Sequence, residues 1–281
     1  MTSLNFLSYC STMKGEKASE VLQSGIDRVF SWLPYQYPSP DRLNSCKIVA
    51  HRGQFDNFKT FENTLAAFDV CQKNKIWGIE LDLRWTEDLY PVVLHDPNCG
   101  RVFGRPQIVP SRYSFKMLRQ HAPFIPSLKE VVDNFGFQCH LMIELKESLS
   151  DPDNLKVRRL VEILKGQRPG LDYHFMSFSL EILKRIDFAP SHCILPIADW
   201  NIEEMSDEAL KRKYGGITGH YFMIKKNHIQ SHHRQDQKIG VGFIQSRSSL
   251  FRELNRGIDW MFTNKALELK KIIETSSEVQ P

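Results

Sequence analysis

Two histidines and a pair of acidic residues mark the part of this sequence that could carry chemistry. His51 follows the short apolar run 48–50 and begins a His-Arg-Gly triplet, and short apolar runs that end at glycine are typical of buried strands. Glu80 and Asp82 lie two residues apart in a second apolar segment, and His95 follows a third. Imidazoles exchange protons near neutral pH, and paired carboxylates bind hard cations. The four residues therefore suggest one site at the ends of neighbouring strands.

Segment 77–85 alternates apolar and charged residues. In a strand, alternate residues point to the same side, with a rise of about 3.3 Å per residue, so the backbones of Glu80 and Asp82 would lie about 6–7 Å apart on one face. Arg84 continues that charged face. An ordinary core does not accept such a face, whereas the mouth of a barrel does. A half-solvated edge strand is the plainer alternative, and we favour the functional interpretation for the set of residues as a whole.

Several motifs follow one another in a specific order. They are His51-Arg52-Gly53, Glu62-Asn63-Thr64, Glu80-x-Asp82, His95-Asp96, the segment Ile125-Pro126-Ser127-Leu128-Lys129-Glu130, and Glu144-x-Lys146. In this order and at this spacing the motifs resemble the glycerophosphodiester phosphodiesterase family. The resemblance is strong from about residue 47 to residue 147 and weaker afterwards.

The resemblance implies a fold and an activity. The fold would be a (β/α)8 TIM barrel, and the activity would be metal-dependent hydrolysis of a glycerophosphodiester to an alcohol and sn-glycerol 3-phosphate, in lipid and glycerol metabolism. It implies His51 and His95 as the acid–base pair, one of which could attack phosphorus directly. Which histidine plays which part stays open at this point.

The residue types support the same chemistry independently. Glu80, Asp82 and Glu144 offer three carboxylates and no soft ligand, a set that favours Mg²⁺, Ca²⁺ or Mn²⁺. Three uncompensated acids in one pocket would repel one another, so a divalent cation or raised pKa values are required. Arg52 and Lys146 add positive charge suited to the non-bridging oxygens of a phosphate.

Other candidates have weaker support. Glu62 could orient Arg52 or contact the metal, but a residue at a helix entry is an equally good interpretation. His220 could line the substrate pocket, although a strand-end histidine with ordinary hydrogen bonds is nearly as good an interpretation. His232 is expected on the exposed side of a charged helix. We expect His140 and His174 to be structural, and we expect core or rim packing rather than a substrate wall from the aromatic residues Phe178, Trp200, Phe243 and Trp260.

Two positions depart from the family pattern. Residues 241–245 read Val-Gly-Phe-Ile-Gln where the family has Val-Trp-Thr-Val-Asn, and Thr263-Asn264 replaces Thr-Asp. We expect these positions to shape the substrate end of the pocket more than the metal end, so they bear on which alcohol is released. Two alternatives stay open: phospholipase D-like cleavage of lysophospholipid or sphingolipid head groups, and a non-catalytic barrel that binds phosphate or polyol ligands.

Predicted strands and helices alternate along the rest of the chain. Ser127 and Glu130 resemble a capping box at the start of a helix, and residues 98–124, rich in Gly, Pro and Arg, are expected to be irregular. About eight strands with helices between them suit a barrel of roughly 250 residues. In such barrels the chemistry lies at the carboxyl ends of the strands, where the candidate residues fall.

The 281 residues divide into two parts. Residues 1–46 form an extension with an amphipathic helix between about 21 and 33, and residues 47–281 form the phosphodiesterase barrel domain. The helix could cover the closed end of the barrel or anchor the protein to a membrane surface. We favour the first, because the polar face of the helix is not rich in lysine.

Composition limits the remaining classes. The net charge of +4 is spread over short clusters, which does not favour nucleic acid as a partner, and a small phosphodiester is the expected one. Six cysteines without a C-x-x-C pair predict reduced thiols. No run approaches about 18 apolar residues, and the amino-terminal segment does not resemble a secretory signal, so we expect a cytoplasmic protein. The oligomeric state stays open.

Overall fold

Eight parallel strands close into a ring in the computed structural model, which describes residues 36–278. The ring runs β1, β2, β4, β5, β6, β7, β8, β9 and back to β1. The strands are β1 Lys47–His51, β2 Gly78–Trp85, β3 Pro91–Val93, β4 His140–Leu145, β5 Tyr173–Ser177, β6 Ile194–Ala198, β7 Gly216–His220, β8 Lys238–Gly242 and β9 Trp260–Thr263. The predicted (β/α)8 barrel is confirmed.

Helices separate successive barrel strands. They are α1 Pro40–Asn44, α2 Leu65–Lys73, α3 Gly100–Phe103, α4 Phe115–His121, α5 Leu128–Phe135, α6 Leu155–Ile163, α7 Leu180–Leu183, α8 Ile202–Arg212, α9 Lys226–His233, α10 Arg247–Arg256 and α11 Ala266–Glu278. The predicted capping box of α5 is present: the Ser127 hydroxyl accepts from the Glu130 N–H, and the Glu130 carboxylate accepts from the Ser127 N–H. This cap satisfies backbone donors that the first turn leaves free.

Alternation along the strands divides the core into two parts. Ile48 and Ala50 of β1 pack outward among the helices, whereas Val49 faces the barrel interior with Met142 and Leu195. Because side chains alternate with a period of two, the next inward positions after Val49 and Met142 belong to His51 and Glu144. The same faces that fill the barrel with apolar side chains therefore become polar at its carboxyl-terminal mouth.

The apolar segment that precedes His95 is not a barrel strand. β3 pairs antiparallel with β2, with Val93 opposite Leu83, and the Leu94 N–H donates to the Asp82 carbonyl at 3.0 Å. The chain thus turns back toward the barrel after β2. This return brings His95 to the level of Asp82, although the sequence suggested that His95 follows a strand like the others.

A short helix leads into the barrel. Pro40 takes the first position of α1, where a missing N–H costs nothing. The Arg42 guanidinium donates to the carbonyls of Leu254 and Asn255, which ties α1 to the end of α10. The predicted amphipathic helix lies outside the described residues.

Two composition-based expectations can be compared with the described chain. The five cysteines among residues 36–278 are all free thiols, as predicted. Within the same residues, none of the helices combines the length and the apolar character that a membrane crossing needs.

Candidate active site

The end of β1 places the first imidazole and the first cation. His51 points inward, and its Nδ1 lies 2.7 Å from the Asn264 Oδ1. The chain then turns at Arg52, whose φ is +58°, so that the Arg52 N–H donates to the Glu80 Oε2 at 2.9 Å. Gly53 follows at φ +84°, and a Cβ there would lie 2.9 Å from the Ala67 Cβ. The glycine of the His-Arg-Gly triplet is thus required by a close approach to α2.

Three carboxylates converge beside this turn. Strand register sets Glu80 beside His51 and Asp82 beside Glu144. One oxygen from each acid lies within 4.8 Å of the others, and all three side chains are buried. Among residues 36–278 this is the group of three that could hold a metal ion. The three acids that the sequence singled out therefore share one compartment.

Two cations and an amide surround the acids. The Lys146 Nζ lies 3.0 Å from the Asp82 Oδ1 and 2.7 Å from the Glu144 Oε1. The Arg52 Nε lies 3.2 Å from the Asp82 Oδ2, which also accepts from the Asn63 Nδ2 at 2.7 Å. The two residues predicted to bind phosphate thus contact the acid group directly.

The acids have coordination capacity that protein groups leave unused. The Glu80 Oε1 and the Asp82 Oδ1 are buried without a hydrogen bond, although the Lys146 ammonium lies close to the latter. Burial and the neighbouring charges of Asp82 and Glu144 raise the pKa of Glu80 well above its ordinary value. Three hard oxygen donors, two of them with an oxygen that has no hydrogen bond, fit a divalent cation such as Mg²⁺, Ca²⁺ or Mn²⁺.

His51 is held in its neutral form. Burial and the charge of Arg52 lower the pKa of His51 to about 3. With its Nδ1 hydrogen donated to Asn264, the lone pair is on Nε2, which lies 3.8 Å from the Glu80 Oε2. At neutral pH this imidazole therefore presents an unprotonated Nε2 at the edge of the acid group.

His95 belongs to a chain of ion pairs. Its Nδ1 lies 2.7 Å from the Asp96 Oδ1, and the Asp96 Oδ2 accepts from the Arg101 Nε at 2.7 Å. Arg101 also binds the Glu62 Oε1 at 2.6 Å, and the same oxygen accepts from Arg52 at 3.0 Å. The chain therefore connects the second histidine to the arginine beside the first.

The carboxylates in this chain stay ionised. Burial raises the pKa of Glu62, but hydrogen bonds from Arg101 and the charge of Arg52 outweigh it and lower the pKa to about 2. Burial acts on Asp96 in the same direction, and hydrogen bonds with His95 and Arg101 again lower the pKa to about 2. Charge-assisted hydrogen bonds of this kind fix the orientation of both ends of the chain.

Sequence reasoning placed most of these residues but missed two. Of the two roles considered for Glu62, its contacts with Arg52 and Arg101 favour orientation over metal binding. Arg101 was not singled out because it lies in the segment predicted to be irregular; its position five residues after Asp96 was the available signal. Asn264 was expected to shape the substrate end of the pocket, and its contact with the His51 Nδ1 was not anticipated.

The remaining candidates have different surroundings. His220 ends β7, and its Nδ1 accepts from the Phe222 N–H. Trp260 is part of the apolar interior, and Phe243 packs edge-on against His51 at 4.9 Å between ring centroids. The prediction that His232 is exposed is wrong: it is fully buried and lies 2.9 Å from the Ser206 hydroxyl. His232 thus fills a polar position under α8.

Fold and site together define a class of protein. A closed (β/α)8 barrel has three buried acids and two imidazoles at its carboxyl-terminal mouth, where barrel enzymes carry their chemistry. The model of the glycerophosphoryl diester phosphodiesterase family matches residues 51–198, more than half of the sequence. The chain belongs to this family, and the resemblance noted from its motifs is confirmed.

Individual proteins agree with this assignment. A glycerophosphodiester phosphodiesterase of Bacillus altitudinis is 26% identical over 243 residues, which cover 78% of this chain and 94% of that protein. A glycerophosphodiester phosphodiesterase structure from Thermotoga maritima has a TM-score of 0.66 at 24% identity, with 81% of this chain and 98% of that one covered. A phosphodiesterase of Oleispira antarctica, in complex with the product sn-glycerol-3-phosphate, has a TM-score of 0.65 at 20% identity, with 81% and 96% covered. The two structures show the shared fold.

Proposed function

We propose that this chain hydrolyses glycerophosphodiesters to an alcohol and sn-glycerol 3-phosphate with the help of a divalent cation and two histidines. The single observation that carries the proposal is the meeting of Glu80, Asp82 and Glu144 at the barrel mouth, with the His51 Nε2 3.8 Å from Glu80. Burial raises the pKa of Asp82, but the charges of Lys146 and Arg52 outweigh it and hold that pKa well below its ordinary value. The product held by the Oleispira antarctica enzyme supports sn-glycerol 3-phosphate as one product.

The acidic and the basic side chains of the site have complementary roles. Glu80, Asp82 and Glu144 would hold the divalent cation, which supplies Lewis-acid polarisation of the phosphoryl group. Arg52 and Lys146 balance the negative charge of the acids in the structure. Their positive charge would bind the non-bridging oxygens of the diester.

The partners of the two histidines suggest a division of their roles. His51 donates to a neutral amide, Asn264, and keeps a lone pair on Nε2, which suits removal of a proton from the attacking water or direct attack on phosphorus. The His95 Nδ1 contacts the Asp96 carboxylate, which orients the ring, and this suits donation of a proton from Nε2 to the leaving oxygen. Water then adds to phosphorus, the bond to the alcohol oxygen breaks, and His95 protonates that oxygen.

We assign this activity to residues 47–281, with residues 1–46 as an extension. The domain assignment rests on β1, which begins at Lys47 and supplies His51. Helix α1 in the extension is tied to α10 of the barrel through Arg42, so a truncation should retain residues from Gln36 onward.

One experiment tests the function directly. A panel of glycerophosphodiesters is incubated with Mg²⁺, Ca²⁺ or Mn²⁺, and released sn-glycerol 3-phosphate is measured after chelation and after each metal is restored. We expect turnover that chelation abolishes and a divalent cation restores. Product formation at the same rate in the presence of excess chelator would contradict the metal-dependent mechanism.

A further inference from the structure

Arg101 reaches the site from a segment outside the barrel strands. It lies on α3 in residues 98–124, which we call the excursion. The excursion packs on a small apolar cluster of its own, whose buried members include Leu94, Cys99, Ile108, Leu118 and Ile125. The Arg101 side chain is only 28% exposed, so most of it is covered by other groups. Such burial is uncommon for an arginine unless its charge is paired.

Arg101 uses all three nitrogens of its guanidinium group on two carboxylates. The Nε donates to the Asp96 Oδ2 at 2.7 Å, and the Nη1 and Nη2 donate to the Glu62 Oε2 and Oε1 at 3.0 and 2.6 Å. Both carboxylates are buried. The planar fork of an arginine binds the two groups at once in a fixed geometry, which the single ammonium of a lysine does not.

The two carboxylates lead to two different groups of the site. The Asp96 Oδ1 lies 2.7 Å from the His95 Nδ1. The Glu62 Oε1 accepts from the Arg52 Nη1 at 3.0 Å, and the Arg52 Nε lies 3.2 Å from the Asp82 Oδ2. One arginine outside the barrel strands thus holds the second histidine on one side and the arginine beside the acids on the other.

Aromatic packing also joins the segments on either side of Arg101. The Phe61 ring, next to Glu62, lies 5.3 Å from the Phe103 ring on α3, measured between centroids. Phe103 in turn packs on Phe124 at 4.1 Å, at the other end of the excursion. Because these apolar contacts hold the two backbones, the ion pairs of Arg101 are not the sole link between them.

We propose that Arg101 is a positioning residue that sets His95 and Arg52 in one arrangement for cleavage of the diester. The role rests on the proposed function, in which His95 donates a proton and Arg52 binds phosphate oxygens. A purely structural ion pair would contribute to stability alone. The fork geometry and the separate paths to two groups of the site favour positioning, because the orientation of both groups matters in the transition state.

Steady-state kinetics of Arg101→Ala tests the role with a glycerophosphodiester that the wild type cleaves. Loss of a residue that orients the groups of a metal site typically lowers activity by about 10- to 100-fold, and we expect kcat to fall by that factor. KM should rise as well, because Arg52 loses the partner that orients Glu62. Added guanidinium ion, below denaturing concentrations, should restore part of kcat, since the place of the side chain is partly open to water.

Arg105→Ala is the matched control from the same excursion. Arg105 donates to the His121 carbonyl at 3.2 Å and lies over the Phe124 ring, 5.5 Å from its centre. This variant should keep the kcat and KM of the wild type and should not respond to guanidinium. Any loss should be confined to its free energy of unfolding.

Arg101→Lys separates charge from geometry. It keeps a positive charge beside two buried carboxylates and should therefore fold, as circular dichroism would verify. We expect its kcat to stay about tenfold below that of the wild type, because an ammonium does not reproduce the fork. If Arg101→Ala does not fold, Arg101→Lys decides, and wild-type kcat in this variant would overturn the role.

A double-mutant cycle identifies the path from Arg101 to the second histidine. Asp96→Asn and Arg101→Ala are measured singly and together. If Arg101 acts on His95 through Asp96, the two losses of kcat should not multiply, and the double variant should be about as slow as Asp96→Asn. Losses that multiply would show that Arg101 does not act through Asp96.

Nitrogen NMR of the imidazoles gives a measurement that does not depend on turnover. The His95 signals, assigned by their loss in His95→Gln, should shift in Arg101→Ala and stay in place in Arg105→Ala. The reason is that the first variant alone releases Asp96. Unchanged His95 signals in a folded Arg101→Ala variant would show that the ring is held without Arg101.

The two proposals fail in different ways. Wild-type kcat in Arg101→Ala, or an equal loss in Arg105→Ala, would overturn the positioning role and leave the proposed function intact. A wild-type chain that cleaves no glycerophosphodiester would defeat the proposed function, and the His95 signals would still decide whether Arg101 orients the ring.

Discussion

Each end of the barrel carries a pair of histidines, but the pairs have different partners. At the amino-terminal end, the His140 Nε2 lies 2.7 Å from the His174 Nδ1, and the His140 Nδ1 lies 2.8 Å from the Leu171 carbonyl. At the carboxyl-terminal end, His51 and His95 each direct Nδ1 to a separate side chain, Asn264 or Asp96. One pair satisfies itself, and the other is oriented toward a common group of acids.

Available space does not distinguish the two ends. A cavity of about 600 Å³ opens at the amino-terminal end, lined by Lys47, Trp77, His140, His174 and Trp260, among others. Trp77 stacks on His140 at 4.5 Å between ring centroids, so aromatic packing holds this pair as well. The acids lie at the other end of the barrel. Chemistry is therefore located by the charges and hydrogen bonds around an imidazole, and cavity volume is a poor guide here.

The largest expected effect comes from replacing one histidine at each end of the barrel with alanine. We expect His95→Ala to lower kcat by about 10²–10⁴, because the leaving oxygen loses its proton donor. His174→Ala is the matched control: it should keep kcat and lose stability, because His140 loses its partner. Steady-state kinetics and thermal unfolding of both variants check the contrast. Similar loss of activity in both would show that the two pairs are not functionally distinct.

The acids provide the next largest effect. Asp82→Asn retains the shape of the side chain but removes a charge. We expect the affinity for Mg²⁺ or Ca²⁺ to fall by about a hundredfold or more, because mutation of a residue that only hydrogen-bonds to a metal ligand already lowers metal affinity by about 10- to 100-fold. Binding is measured by titration calorimetry, which does not depend on turnover. Glu203→Gln, at an exposed acid on α8, should leave the affinity unchanged. Unaltered affinity in Asp82→Asn would remove this residue from the metal site.

A smaller effect is expected at Asn264. Asn264→Leu leaves the His51 Nδ1 without an acceptor, and we expect about a tenfold loss of kcat as the ring loses its orientation. Asn264→Asp restores an acceptor and adds a negative charge, which raises the pKa of His51. Activity should then be retained, with the acidic limb of the pH profile at higher pH than in the wild type. An unchanged profile would show that Asn264 does not influence His51.

The sequence predicted the acids and the first histidine of the site more fully than the hydrogen-bond partners of its histidines. Strand periodicity and motif spacing were sufficient for His51, Glu80, Asp82 and Glu144, because their positions follow from parallel strands in register. The partners of the histidines were harder to predict. Asp96 is adjacent to His95, but Asn264 is 213 residues from His51 and meets it only because β9 closes the barrel beside β1.

Local backbone geometry was the other part that could not be predicted. Glu62 was interpreted as a possible helix-entry residue, but α2 begins only at Leu65, with Thr64 as its N-cap, because Asn63 takes a φ of +56° and turns its amide to Asp82. Likewise, the antiparallel return of β3 depends on pairing with β2 rather than on its apolar run. Both departures place a polar side chain in the site, which is where local preferences are most often overridden.

The smallest expected effect is on the pH dependence of stability, to which a histidine at the amino-terminal end contributes. Burial lowers the pKa of His140 from 6.5 to about 4, so the unfolded chain binds more protons than the folded one between these values. Stability should therefore fall as pH falls through this window, and linkage gives about 1 kcal/mol for this group between pH 7.5 and 5.5. Chemical denaturation at the two pH values measures the slope. His140→Gln should lessen the slope by that amount and leave kcat unchanged, because the acids and their histidines lie at the opposite end. An undiminished slope would place the titrating group elsewhere.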